Sequence, residues 1–122
     1  MEFFIQQDST LPILKMDVVR DGRTESWKAF YSILDNATLR FSMINEGDGV
    51  QKIFMNNAYL VEKERRNLDS PVEYYIYYKW DSRDTNKKGR FIGQFSIILE
   101  NGELAAPIRE NLYINIVWHL TS

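Results

Sequence analysis

The chain has 122 residues, 44% of them hydrophobic and 26% charged, which suits one domain over residues 1–122 with a core that needs no staples. A formal charge of −2 and the lack of cysteine exclude a basic nucleic-acid footprint, a polybasic membrane surface, disulfides, a thiolate metal site and a cysteine nucleophile. The opening MEFFIQQDST has an acid at position 2 and does not read as a signal peptide, and no apolar run nears the roughly 20 residues of a membrane span.

Alternation with a period of two dominates the chain. In LPILKMDVVR (11–20), Leu14, Met16 and Val18 share one face and Lys15 and Asp17 the other, before a DG turn at 21–22. TESWKAFYSIL (24–34) is the exception: Trp27, Phe30, Tyr31 and Leu34 fall at i, i+3, i+4 and i+7, with Thr24 or Ser26 as an N-cap. That spacing predicts a short helix or turn between two strands. ATLRFSMIN (37–45) turns Ala37, Leu39, Phe41 and Met43 inward and Thr38, Arg40 and Ser42 outward; EGDG is a turn and VQKIFM (50–55) the returning strand. NAYLVEKERRNLDSP (57–71) reads as a strand remnant followed by a polar loop that Pro71 ends.

VEYYIYYKW (72–80) consists of β-formers except at Glu73 and Lys79. With Tyr74, Ile76, Tyr78 and Trp80 inward, Tyr75 and Tyr77 lie on the outer face. RFIGQFSIILE (90–100) directs Phe91, Gly93, Phe95, Ile97 and Leu99 inward, and NG at 101–102 predicts a tight hairpin turn into ELAAPI, where Pro107 marks an edge or a bend. NLYINIVWH (111–119) carries Leu112, Ile114, Ile116 and Trp118 in register. The expected fold is therefore an antiparallel all-β sandwich or barrel of about seven strands with one helical insert.

Chemistry is harder to find. His119, the single histidine, lies at a chain end that frays, and without cysteine it cannot build a zinc site. Asp81, Asp84 and Glu100 could form a glycosidase carboxylate pair only by facing one cleft, and acids in turns are commonplace. DSRDTNKKG lacks the glutamate that closes a calcium loop, and no phosphate-cradling glycine motif occurs. No catalytic residue, cofactor or metal is expected. Lys63, Arg65 and Arg66, and Arg83, Lys87, Lys88 and Arg90, are interleaved with acids as in solvated loops. The stretch WDSRDTNKKGRFIGQF (80–95) reads as a corner: Asp84 and Thr85 bond nearby backbone amides, Gly89 takes a positive φ, and Phe91 and Phe95 fill the core. The outward aromatics of YYIYY suit packing under a loop, a partner interface or a sugar platform, whereas a base-stacking surface would need a basic groove.

In order along the chain, three segments resemble the N-terminal domain of phage baseplate upper proteins. FIQQDSTLPILKMDVVRDG is similar to its opening, and TLRFSMIN to its next strand. YYIYYKWDSRDTNKKGRFIGQFSIILENGELAAPIRENLYINI is similar to its signature, with Asp84, Thr85, Gly89 and Phe95 on the pattern D-T-x-x-x-G-x-Y-x-x-x-F. Phe91 stands at the tyrosine of that pattern, so a tyrosine-corner hydroxyl bond cannot form there. The resemblance spans roughly residues 3 to 117. It implies an immunoglobulin-like β-sandwich and a non-enzymatic virion building block, assembled in the host cytoplasm. The place would be the baseplate or tail, or the capsid as a decoration or fibre anchor. Partners would be other virion proteins in a symmetric or homo-oligomeric assembly, with neither nucleic acid nor membrane. Trp27, Tyr31, Tyr75 and Tyr77 are the expected contact residues; the alternative is an adhesion module that binds host glycan through the exposed aromatic face.

Overall fold

The computed structural model describes residues 1–17, 36–62, 74–100, 102–107 and 110–118. The helical insert expected at 24–34, with Trp27 and Tyr31, lies outside them, as do the polar loop and His119. The described residues form nine strands: β1 (Glu2–Gln6), β2 (Leu14–Asp17), β3 (Thr38–Asn45), β4 (Gln51–Asn57), β5 (Tyr59–Glu62), β6 (Tyr74–Tyr78), β7 (Gly89–Leu99), β8 (Gly102–Ala106) and β9 (Leu112–Val117). The large sheet runs β1-β9-β7-β3-β4, with β8 also paired to β7, and the small sheet runs β2-β6-β5.

The fold is all-β, and one shared core joins the two sheets. Leu14, Met16, Ile76 and Tyr78 enter it from the small sheet, and Leu39, Phe41, Met43, Phe91, Phe95, Ile97, Leu112, Ile114 and Ile116 from the large one. These are the inward positions of the alternation, because a strand with one wet face must place its apolar residues two apart. At the centre Phe41 is fully buried, with ring centroids 4.6 Å from Tyr78, 4.9 Å from Phe95 and 5.9 Å from Trp80.

Local chemistry explains the turns. Between β3 and β4, Asn45 Oδ1 accepts from the amides of Gly47 (2.8 Å) and Asp48 (3.2 Å), Asp48 Oδ1 accepts from Val50 (2.9 Å), and Gly49 takes φ 71°. Between β7 and β8 the ladder closes with Leu99 opposite Gly102. After β4 the chain leaves the large sheet for the small one. The β3–β4 register shifts twice, Met55 takes φ 52°, and the Ala58 amide donates to Leu39 O (3.0 Å) before β5 begins.

Two expectations are corrected. The large sheet is mixed, not antiparallel, because β1 lies parallel to β9. Trp118 does not continue the inward row: β9 ends at Val117, and Gly89, the first residue of β7, already pairs with Ile116. Trp118 thus lies past the end of its neighbour and is 63% exposed, with Lys88 Nζ 4.3 Å above its ring.

Candidate functional site

Two places gather the residues singled out by the sequence: the corner after β6, and the outer face of the small sheet. In the corner, buried Asp84 accepts from Tyr78 OH (2.7 Å) and from the Asp81 amide (2.9 Å) through Oδ2, and the Asp84 amide donates to Asp81 O (2.9 Å). Asn56 Nδ2 donates to the same Tyr78 oxygen (3.1 Å). Burial pushes the Tyr78 hydroxyl well above the ordinary tyrosine range; the Asn56 bond opposes that shift and the Asp84 carboxylate adds to it. At neutral pH the hydroxyl is therefore a proton donor that anchors the corner.

Thr85 departs from the expectation. Its hydroxyl does not bond a neighbouring amide but donates to Ser9 O (2.8 Å), and Thr85 O accepts from the Asp8 amide (2.9 Å). The side chain is fully buried and must find an oxygen within reach. The segment after β1 supplies it by a left-handed step at Asp8, φ 65°. Gln7 Nε2 to Asn86 O (2.9 Å) and Lys52 Nζ to Asn86 Oδ1 (2.6 Å) tie the same corner to two more places in the fold. Gly89 takes φ 152°, as the sequence reading required.

The three acids do not converge. Asp84 is buried and spoken for. Exposed Asp81 accepts from the Arg83 amide (2.9 Å), which, with the guanidinium beside it, holds its carboxyl below the ordinary range. Glu100 follows the eleven residues of β7, a strand that at about 3.3 Å per residue spans the length of the sheet. Among the described residues no group of three His, Cys, Asp or Glu side chains could hold a metal ion, and no helix is long and apolar enough to cross a membrane.

Replacing Asp84 by Ala leaves Tyr78 OH and the Asp81 amide without their acceptor, and is expected to cost about 2 kcal/mol; Asp84→Asn retains an oxygen and should cost less. Urea unfolding measures both. An Asp84→Ala midpoint equal to that of the parent would show that the corner is held by other means.

The outer face of the small sheet carries the tyrosines. Register sets Tyr77 between Lys15 and Tyr59, and Tyr75 between Asp17 and Val61. The Tyr59 and Tyr77 rings stack at 5.2 Å and 27°, Tyr75 is tilted against Tyr77 at 6.3 Å, and Lys15 Nζ lies 5.2 Å over Tyr75. Tyr75 and Tyr77 are half-buried, and Tyr59 is exposed. Tyr59 is a further member of this face; its signal in the sequence is the alternation of Tyr59 and Val61 inside a segment too short to show periodicity. Such a face offers broad amphipathic surface that loses little side-chain entropy when another molecule covers it. No protein-family model, curated protein or solved structure matches the chain.

Proposed function

We propose that the chain is a non-enzymatic structural protein of a bacteriophage virion. In this reading an immunoglobulin-like domain joins other virion proteins in a symmetric assembly, at the baseplate or tail or as a decoration or fibre anchor on the capsid. The observation that carries the contact role is the tyrosine face of the small sheet. One side of the Tyr77 ring is already stacked on Tyr59, and Lys15 sits over Tyr75, so fewer ring faces are left open than on a bare aromatic platform. That favours a protein partner over a sugar, which stacks on a free ring face. The immunoglobulin-like assignment is supported by strand order. β2-β6-β5 corresponds to B-E-D, β9-β7-β3-β4 corresponds to G-F-C-C′, and Phe41 on β3 occupies the core where that fold places the C-strand aromatic.

The test is Tyr75→Ala with Tyr77→Ala. Interface aromatics of this kind contribute about 2 kcal/mol or more each, so incorporation into particles should fall about a hundredfold or more, read by quantitative mass spectrometry of purified virions. Folding should be nearly unchanged, since cross-strand pairs on a wet face contribute about 0.2–1 kcal/mol each. Normal incorporation would overturn the assignment of this face. Loss of saturable sugar binding alone would establish the adhesion module instead.

A further inference from the structure

We propose that β1 is the contact strand of a two-fold dimer, in which a second copy of this chain pairs antiparallel along its open edge. Among the described residues the large sheet ends in β1 on one side and β4 on the other. The β4 edge is interrupted by two register shifts and the left-handed Met55, and β8 stops at Ala106 before Pro107. Such breaks keep an edge from recruiting another strand. β1 has none of them. Its EFFIQ pairs with β9 in unbroken register and contains no proline and no lysine.

Backbone directions fix which groups face out. The Tyr113 amide donates to Met1 O, and the Gln7 amide donates to Val117 O, each at 2.9 Å. Odd-numbered residues of β1 therefore face β9, and the N–H and C=O groups of Glu2 and Phe4 and the N–H of Gln6 point to the open edge, whereas Gln6 O already accepts from the Ser9 amide (3.1 Å) in the turn that follows. A two-fold axis at Phe4 sets Phe4 against Phe4 of the second copy, exchanging both backbone bonds, and Glu2 against Gln6 of the second copy, joined by the Gln6 amide donating to Glu2 O, since Gln6 O is already used by Ser9. In this register the carboxylate of Glu2, held by Arg90 Nη2 at 3.0 Å, meets an amide and not another acid. Phe4, 58% exposed, gains a cross-strand aromatic neighbour. The complementarity is that of the strand with itself, which is why a second copy is the occupant. The proposal rests on this edge and not on the virion reading, so a chain that dimerises yet enters no particle would sink only the latter.

The full chain tests it by light scattering and amide exchange. A five-residue edge is a small interface, so the association is read up to about 0.5 mM. The mass should rise toward twice 14.5 kDa, and the Phe4 and Gln6 amides should exchange at least tenfold more slowly than in dilute solution. Phe3 and Ile5, bonded to β9, should be protected at both concentrations. Phe4→Pro removes an open-edge donor and no bond to β9, and should stay monomeric with a parental circular dichroism spectrum. If that variant does not fold, Phe4→Lys, which sets two cations face to face, gives the same reading. A parent that stays at 14.5 kDa throughout, Phe4 and Gln6 amides already protected in the monomer, or variants that dimerise like the parent would each overturn the proposal.

Discussion

Phe41→Ala is expected to lower the free energy of unfolding by about 3–5 kcal/mol, the largest loss from a single truncation among the described residues. The side chain is fully buried and touches aromatic rings from both sheets: Phe95 beside it on β7, and Tyr78 and Trp80 from β6 and the residues just after it. The cost should lie high in that range because the surrounding rings cannot collapse into the space. Tyr78 is pinned by Asn56 and Asp84, and Trp80 is wedged edge-on against Tyr78 at 5.2 Å and 90°. Domains of this size are stable by about 5–15 kcal/mol, so the variant forfeits about a fifth of that or more. In thermal unfolding the loss should appear as a drop of about 10–20 °C. A loss under about 1 kcal/mol would mean that the two sheets do not meet at Phe41.

Gly93→Val should cost about 3 kcal/mol, and Gly93→Ala about 1–2 kcal/mol, for the complementary reason. A Cβ at Gly93 would lie 2.9 Å from Phe41 Cζ, 3.0 Å from Cε1 and 3.4 Å from Ile114 Cγ1. Replacing glycine in a strand normally gains about 0.4–1 kcal/mol through the unfolded chain, so the two effects oppose each other. The clash prevails because its target is a ring hemmed in by three others and not the free end of a flexible side chain. Combining Gly93→Ala with Phe41→Leu should recover part of the loss, a coupling of about 0.5–3 kcal/mol measurable in a double-mutant cycle. Additive losses would show that the two positions do not touch.

Wherever one face of a strand is wet and the other dry, the sequence was legible. The inward rows of β3, β6 and β7 follow from alternation alone, as do the EGDG turn and the hairpin after Leu99, since each depends on residues a few positions apart. What escaped depends on distant chain. Alternation does not announce β1, because Phe3, Phe4 and Ile5 form a run without it and because its partner, β9, lies at the other end of the sequence. β5 was reduced to a remnant by the change of sheet at Ala58, which shortens both flanking strands. The Thr85 hydroxyl found its oxygen on Ser9, a contact that no local motif announces. Of the expected contact residues, Tyr75 and Tyr77 share one face and acquire Tyr59 as a neighbour, while Trp27 and Tyr31 belong to the segment outside the described residues.

Cryo-electron microscopy of intact particles, purified from cultures that express the chain with its own genomic neighbours, tests the central claim most directly. The proposed role predicts copies of the domain arranged with rotational symmetry in the particle, with Tyr75 and Tyr77 covered by another protein chain. Particles that contain no copy of the chain, or copies whose tyrosine face is bare to solvent, would contradict it.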